Sequence, residues 1–394
     1  MNDYLSNTTA PVQMLGLATL MNPNANKVSS QRGTMWSHHA PQAQLLHGCE
    51  HPKLFSGFES MIGEYEYSTT ERDQDIQILE TIPRFITMSG MYPIKSNPYY
   101  TIVYRGDLDG KVGYFNLEKH TMRSNGYGYK NKWLNQLRLN RGNYIPKDLK
   151  LCTSPAHDGN KYMMGTNLRT VYMSLPGVTE DAFIISESAA RKLSSDSIGK
   201  ISFKISPNQI PKNLYGNLDE YKFMPDIGEV VRPDGVFCAL CTPTQDSIIS
   251  DMSSENLTRV QPLHDQTFFL PGGAEILDID IVVNRKCKVK TPKEVFSQVQ
   301  KYRDPINAYN VKIWEAYQDA LKAGREITPA FNSLVTRAIS NLLADNVRIP
   351  GYNKRADITL VKKKETIEFL HITVTYKHVN PINRGHKLTG RSGN

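Results

Sequence analysis

A change in periodicity near residue 291 constrains the fold of this chain more than any other feature. Residues 291–349 carry apolar side chains at spacings of three and four, as amphipathic helices do. The periodic segments before and after this block alternate apolar and polar residues instead, as strands do. The order therefore predicts a mixed, mainly β fold that contains an inserted helical segment.

Three helix starts are predicted within the block. Residues 291–292 are Thr-Pro, and Glu294 follows them. In this order the three residues form the pattern of an N-cap, a first-turn proline and a capping-box partner. Asp-Pro at 304–305 is predicted to begin a second helix that ends at Gly324, and Thr-Pro at 328–329 a third. The third helix is predicted to have an apolar face made of Phe331, Leu334, Val335, Ala338, Ile339 and Leu342.

Strands and tight turns are predicted on either side of the helical block. TIVYRGDLDGKVGYFNL (101–117) has two β-rich arms around an Asp-Gly turn, which predicts a hairpin. DLDG (107–110) also resembles a metal loop, but its position favours the turn. EILDIDIVV (275–283) and LHITVTYKH (370–378) are predicted strands, and the second alternates between an apolar and a polar face.

The charge of the chain favours an anionic partner. The net charge is +8, with nucleic acid as the first candidate, although many basic proteins bind no nucleic acid. The chain has no run of about 20 apolar residues, so no membrane partner is expected. Its five cysteines are odd in number and scattered, which is typical of reduced thiols in a cytoplasm-like compartment.

Two cysteine-containing patterns leave zinc open as an alternative. Cys238 and Cys241 form half of a zinc site at most, and VFCALC is more simply a strand. His47, Cys49 and His51 would share one side of an extended segment, but the sequence indicates no fourth ligand.

The basic stretch GHKLTGRSGN (385–394) is a candidate phosphate site. Lys387 and Arg391 are separated by Leu388, Thr389 and Gly390, and glycine lets a backbone approach a ligand closely. A solvated basic tail is the alternative. The predicted strand at 370–378 favours a held cation, because a strand gives the adjoining loop a rigid mount.

Two further stretches are candidates for binding. SSQRGTMWSHHAPQAQ (29–44) is a polar cluster without an apolar period, so an irregular loop outside the core is predicted. Glu180 and Asp181 stand immediately before AFIIS (182–186), which is predicted to be a strand, and this placement suits a metal ion or arginine partners. An isolated acidic pair is more often simply solvated.

Taken in order, these stretches resemble the second largest (β) subunit of multisubunit DNA-dependent RNA polymerases. IEFLHITVTYKHVNPINRGHKLTGRSGN is similar to the family's segment that ends in G-D-K-x-x-G-R-x-G-N-K-G. LGLATLMNPN and SSQRGTMWSHHAPQAQ resemble the fork region, and LFSGFES (54–60) the element V-G-T-G-M-E-R. MGTNLRTVYMSLPGVTEDAFIISES (164–188) and IGEVVRPDGVFCALCTP (227–243) resemble the barrel and flap segments.

The resemblance implies a double-psi β-barrel core. Residues 1–75 would form an irregular fork loop that lines the RNA–DNA hybrid, and 76–195 the first part of the barrel. Residues 196–290 would form a β-rich flap, 291–350 a helical insertion, and 351–394 the second part of the barrel with the catalytic-lysine loop.

The resemblance also implies site residues for template-directed nucleotidyl transfer. Residues matching the catalytic groups are Lys387, Arg391, Arg32, Glu180 and Asp181. Residues matching contacts to the NTP or to the hybrid are Gln31, Met35, His38, Gln42 and Glu59. Mg²⁺ would be held mainly by aspartates of a partner β′ chain, with Glu180 and Asp181 near the second ion.

Some positions depart from the family pattern. His386 stands where the family has Asp, Ser60 where it has Arg, and the spacing before Glu180 is one residue shorter. The family's second lysine would follow Asn394, so it is expected on another chain.

The resemblance covers the central and later part of the subunit, as in the split β subunits of giant bacteriophages. The implied partners are the remaining β fragment, β′ fragments, a promoter-specificity subunit, template DNA, RNA and NTPs. The implied location is the cytoplasm of an infected bacterial host, or also the virion. A non-catalytic nucleic-acid-binding or scaffold protein that retains the barrel is the alternative.

Overall fold

The computed structural model describes residues 16–64, 74–84, 99–178, 182–217, 220–242, 258, 260, 265–284, 293–352 and 369–388. Within these ranges the fold is mixed and mainly β, as predicted. The helices are α1 (Leu17–Leu20), α2 (Ser30–His39), α3 (Glu59–Glu64), α4 (Glu187–Lys192), α5 (Lys293–Lys322) and α6 (Pro329–Ala344). Short 3-10 turns lie at Ala25–Lys27, Ala40–Gln42 and Gln136–Arg138.

The strands of the first half of the chain are β1 (Ile76–Arg84), β2 (Tyr99–Gly106), β3 (Val112–Glu118), β4 (His120–Ser124), β5 (Tyr127–Lys130), β6 (Lys132–Trp133), β7 (Tyr144–Ile145), β8 (Cys152–Thr153), β9 (His157–Asp158) and β10 (Lys161–Tyr162). Those of the second half are β11 (Ser195–Ile205), β12 (Ile210–Pro211), β13 (Val236–Cys241), β14 (Asp265–Phe269), β15 (Glu275–Val283) and β16 (Leu370–Asn380).

The predicted hairpin forms the centre of a four-stranded sheet ordered β3-β2-β1-β7. Strands β2 and β3 pair antiparallel from Tyr99 with Glu118 to Arg105 with Val112. The turn between them contains Gly110 at φ 66°, a left-handed conformation that glycine adopts without strain. The turn interpretation of DLDG is therefore confirmed.

A second antiparallel sheet has the order β11-β16-β15. In β16 the side chains of Leu370, Ile372 and Val374 are buried, while those at the alternate positions are partly exposed, as the alternation predicted. The sheet combines β11, which begins at Ser195, and β15 with one strand from the range 351–394.

The smaller sheet β12-β13-β14 contains the Cys-x-x-Cys pattern. Cys238 is fully buried in β13, and burial raises the pKa of its thiol. The strand prediction for VFCALC is confirmed, and the side chain of Cys238 belongs to the core.

Helix α5 continues through Pro305, so the predicted start of a separate helix at 304–305 was wrong. Its apolar face is continuous across the proline, with Tyr302 before it and Ile306 and Tyr309 after it, all buried. Packing of this face outweighs the missing backbone hydrogen bond of Pro305. The predicted cap at 291–292 lies outside the described residues.

The other two helix signals are confirmed. Gly324 follows the end of α5 at φ 66°, and the backbone N–H of Arg325 donates to the carbonyl of Ala320. Thr328 is the N-cap of α6, and its side chain accepts from the backbone N–H of Phe331. The buried face of α6 is the predicted one, with Leu334 partly buried.

Helix α5 contributes to two cores. Val295, Val299, Tyr302 and Ile306 pack with buried residues of the β11-β16-β15 sheet and of β13. Farther along α5, Tyr309, Ile313, Trp314 and Ala320 pack with α6 and with Ile82, Val103 and Val112 of the first sheet. The helical segment is thus packed against strands over its whole length.

A buried ion pair joins the two long helices. Asp345 lies directly after α6. Arg303 of α5 donates through Nε to Oδ2 of Asp345 at 2.7 Å, and through Nη1 to the carbonyl of Ile281 at 2.6 Å. Asn307 Nδ2 also donates to Asp345 Oδ2, at 2.8 Å. Both charged side chains are almost fully buried, and these bonds satisfy them.

The polar stretch 29–44 is helical rather than an irregular loop, which corrects that prediction. Ser29 caps α2, because its Oγ accepts from the backbone N–H of Arg32 at 3.4 Å. No residue of α2 is buried, so the prediction that this stretch lies outside the core is confirmed.

Candidate functional site

Lys387 lies on an exposed loop that follows β16. The loop turns at residues 383–386, where the backbone N–H of His386 donates to the carbonyl of Asn383 at 3.2 Å. Gly385 has φ 85° in this turn, a conformation that favours glycine. Lys387 follows the turn and is exposed. Arg391 lies outside the described residues.

His386 has a defined role in that turn. Its Nδ1 accepts from the backbone N–H of Asn383 at 3.2 Å. The residue next to Lys387 is therefore an imidazole that holds the turn, at the position where the polymerase pattern has a carboxylate.

The predicted hybrid-contacting residues share one surface. Gln31, Met35 and His38 of α2 are exposed and lie within about 60° of one another around the helix axis. Gln42 continues the spacing of three and four into the 3-10 turn at 40–42 and is also exposed. We call these four residues the α2 stripe.

Arg32 lies beside the α2 stripe and is half-buried. Its Nη1 approaches Sδ of Met35 at 3.5 Å, so the guanidinium leans towards the stripe. The opposite side of α2 packs on α1, where the hydroxyls of Thr19 and Ser37 are hydrogen bonded to each other.

Glu59 is buried, unlike the other predicted contact residues. Its Oε1 accepts from the backbone N–H of Ser56 at 2.8 Å, and its Oε2 from that of Gly57 at 2.9 Å. Burial alone would raise the pKa of Glu59, but these hydrogen bonds outweigh it and lower the pKa. The carboxylate thus holds the turn before α3, and its predicted contact with a nucleotide remains a prediction.

Ser195 is the first residue of β11. It pairs with both of the segments that lead to predicted site residues, the one that carries the Lys387 loop and the one that follows the α2 stripe. It pairs with Asn380, the last residue of β16, from which the Lys387 loop departs. It also forms an isolated antiparallel bridge with Leu46, four residues beyond the α2 stripe.

Further hydrogen bonds support this junction. The backbone N–H of His47 donates to the carbonyl of Ser194 at 3.0 Å, and Ser195 Oγ donates to Gln44 Oε1 at 2.9 Å. Chain lengths limit the separations: Lys387 lies within about 25 Å of Asn380, and Gln42 within about 14 Å of Leu46.

The segment after the bridge is anchored by Glu50. Its Oε2 accepts from the backbone N–H of Asn167 at 2.9 Å, and its Oε1 forms an ion pair with Lys192 of α4. Lys192 first, and Asn167 after it, lower the pKa of Glu50 from its usual range to about 2. This carboxylate therefore connects the N-terminal segment to the residues that flank 180–181.

Glu180 and Asp181 themselves lie outside the described residues. The prediction that AFIIS (182–186) is a strand was wrong: these residues belong to no strand, and Phe183 and Ile184 are exposed. They lead into α4, which is capped by Ser186 Oγ accepting from the backbone N–H of Ala189 at 3.2 Å. Helix α4 ends at Lys192, three residues before Ser195. The acidic pair is therefore connected through a short stretch of chain to the same strand end.

The alternative zinc ligands bind protein groups instead. His47 Nδ1 lies 3.1 Å from Asp196 Oδ1, and His51 Nε2 lies 2.9 Å from Asp158 Oδ2. Cys49 Sγ donates to the carbonyl of Leu46. Throughout the described ranges, no group of three or more His, Cys, Asp or Glu side chains is arranged to hold a metal ion.

A polar cavity of about 300 Å³ lies between the two main sheets and was not predicted from the sequence. Arg84 and Asp278 form an ion pair across it at 3.2 Å, and Glu118, His120 and Lys200 also line it. Burial, then Lys377, lowers the pKa of His120 to about 3, so its ring is neutral at neutral pH. These residues come from strands far apart in the chain, so no local motif indicates them.

Among the described helices, none has both the length and the apolar character needed to cross a membrane. No protein-family model matches the chain, and no curated protein matches it significantly.

Proposed function

We propose that this chain is a subunit of a multisubunit DNA-dependent RNA polymerase and works only with partner chains. The observation that carries the proposal is the junction at Ser195, which is paired with both Leu46 and Asn380. The motifs that resemble the fork and the catalytic-lysine loop lie far apart in sequence. Their approach to one strand end supports a common site, and the sheets around it would belong to a double-psi barrel.

The exposed groups suit different parts of the nucleic acid. Lys387 is a compact, exposed point charge on a loop that a long strand carries, which suits the phosphate near the RNA 3′ end. Arg32 suits the incoming nucleotide, because its planar guanidinium can bind phosphate with two hydrogen bonds. The α2 stripe, which is exposed and contains no carboxylate, suits the RNA–DNA hybrid.

Mg²⁺ would be bound mainly by residues of a partner chain. The described residues form no group able to hold a metal ion, so this part of the chain does not fit the principal metal. In such enzymes Mg²⁺ stabilises the attacking and leaving oxygens. The contribution of this chain would be to bind the RNA end, the nucleotide and the hybrid and to orient them.

Isolation of the natural assembly tests the proposal. The chain would be tagged in the cells that make it, and the co-isolated polypeptides identified by mass spectrometry. We expect a partner with an N-A-D-F-D-G-D motif, and RNA synthesis that depends on template, NTPs and Mg²⁺. An assembly that binds nucleic acid but incorporates no nucleotide would contradict the proposal and favour a scaffold protein.

A further inference from the structure

The first wall of the polar cavity between the two main sheets is a row of three side chains. Arg84 of β1 pairs in register with Tyr99 of β2, and Tyr99 pairs in turn with Glu118 of β3. Residues paired in neighbouring strands point to the same face of a sheet, and all three line the cavity. This first row therefore presents a cation, a phenol and a carboxyl group side by side.

The second wall is a matching row in which the charges are reversed. Thr375 of β16 pairs in register with Asp278 of β15 and with Lys200 of β11. Asp278 forms the ion pair with Arg84 at 3.2 Å. Lys200 lies at the other end, where its charge acts on Glu118. The two rows thus face each other with opposite charges at both ends.

The Glu118 end of this arrangement is open. Within the described residues, no ion pair joins Glu118 to Lys200 and no group donates a hydrogen bond to the Glu118 carboxyl. Burial therefore raises the pKa of Glu118 more than Lys200 and Arg84 lower it, whereas backbone donors lower the pKa of the buried Glu59. A partly buried carboxylate is unfavourable without a donor, so this end of the cavity suits a ligand that supplies one.

The charges of the lining restrict the net charge of such a ligand. Arg84 and Lys200 balance Glu118 and Asp278, and the ring of His120 is neutral at neutral pH. A ligand with a net charge would bring an uncompensated charge between the sheets, which is costly. A zwitterion satisfies the open carboxylate and the open ammonium group together and adds no net charge.

The remaining lining restricts the size and the shape of the ligand. Met122, Ile198 and Leu277 give the cavity an apolar part, and the last two side chains are buried in the protein. The volume of about 300 Å³ is at the small end of the range for ligand sites. The ligand is therefore a small molecule with one apolar group.

We propose that this cavity binds a free amino acid with an aliphatic side chain. Its ammonium group would donate to Glu118, its carboxylate would accept from Lys200, and its side chain would contact the apolar part of the cavity. The hydroxyl groups of Tyr99 and Thr375 lie in the middle of the two rows and suit its polar atoms. The proposal goes beyond the proposed function and does not depend on it.

The chain segments that adjoin the cavity strands suit this role poorly. The segments 85–98, between β1 and β2, and 285–292, after β15, contain no Asp or Glu, so neither offers Lys200 a side-chain carboxylate. The segment 353–368 enters β16 five positions before Thr375, a distance of about 17 Å along the strand. A free amino acid supplies both a donor and an acceptor.

Isothermal titration of the full chain tests the proposal. The probes are L-leucine, L-isoleucine, L-valine and L-methionine, each used separately. For the tightest binder, two analogues are compared: the acid that lacks the ammonium group and the amine that lacks the carboxylate. We expect saturable binding of at least one amino acid, and binding at least about tenfold weaker for each analogue.

Two substitutions place the probe in the cavity. Glu118→Gln keeps the shape of the side chain and removes its charge, and Lys200→Met alters an exposed position. Each should weaken binding about tenfold or more. Lys204→Met is the matched control, since Lys204 is also exposed on β11, and it should bind as the wild type does. Melting temperatures of the variants check that each one folds.

Every other outcome overturns the proposal. If no amino acid binds, water or the chain's own residues fill the cavity. An analogue that binds as tightly as the amino acid would show that the two charged groups are not both recognised. Binding that survives both Glu118→Gln and Lys200→Met would place the probe elsewhere. RNA synthesis has no part in these measurements, so its failure would contradict only the proposed function.

Discussion

Ser195 pairs with Asn380 at the last position of the ladder between β11 and β16. From this position one strand continues into the loop of Lys387. Ser195 itself is bridged on its other side to Leu46, beyond the α2 stripe. The long ladder makes this strand end a rigid mount for groups that must be held relative to one another.

The first prediction concerns the α2 stripe. Replacing Met35 and His38 together with alanine removes two exposed side chains from the proposed hybrid contact and leaves the helix intact. We expect the complex of the assembly with an RNA–DNA hybrid to dissociate at least tenfold faster, which corresponds to about 1.4 kcal/mol. The measurement is the lifetime of a stalled elongation complex.

Ser30→Ala is the matched control for the stripe. Ser30 is exposed on the same helix but lies about 100° from Gln31 around its axis. Its variant should match the wild type. Equal lifetimes for the wild type and the double variant would show that the stripe does not contact the hybrid.

The second prediction concerns pH and Glu50. Because Lys192 and Asn167 lower its pKa to about 2 in the folded chain, Glu50 stays ionised there while the unfolded carboxyl protonates near 4.5. Its contribution to stability is therefore complete above pH 4.5 and is lost as the pH falls towards 2. Glu50→Gln should make the loss of stability across this window shallower.

Urea unfolding at several pH values between 2.5 and 6 measures this effect. Glu187→Gln, which alters an exposed pair within α4, is the control and should follow the wild type. A Glu50→Gln variant whose stability falls as steeply as that of the wild type would refute the anchoring role.

The third prediction concerns the buried pair Arg303–Asp345. Asp345→Ala removes the carboxylate from a buried guanidinium that also donates to the carbonyl of Ile281, so unfolding should become easier by about 3–5 kcal/mol. Glu80→Ala breaks the exposed pair with Arg141 and should cost less than about 1 kcal/mol. Chemical unfolding measures both, and equal effects would contradict the role of α5 in joining the cores.

The parts of the fold that could be predicted from sequence are those with local causes. The turn at Gly110, the cap at Thr328 and the alternation in β16 each depend on neighbouring residues. Pro305 led to a wrong prediction because its local signal opposes a continuous apolar face that only packing reveals. The cap at Ser29 was a local signal that the polar composition of the stretch obscured.

The geometry of the candidate site could not be predicted in this way. The pairing of Ser195 with Leu46 and Asn380 joins residues far apart in the chain, and no local pattern encodes it. Burial of Glu59 depends on backbone donors that are positioned by the turn before α3. The resemblance could indicate which residues to consider, but not whether their side chains are exposed or already bound.

The most direct test of the central claim is the rate of RNA elongation by the isolated assembly with Lys387→Ala. The substituted side chain is exposed, so the composition of the assembly should not change. If Lys387 contacts the reacting phosphate as proposed, loss of its positive charge should slow elongation about a hundredfold or more, as removal of a stabilising group in an active site does. Lys312→Ala, at an exposed lysine of α5, is the control and should elongate normally. Elongation at the wild-type rate with Lys387→Ala would contradict the account.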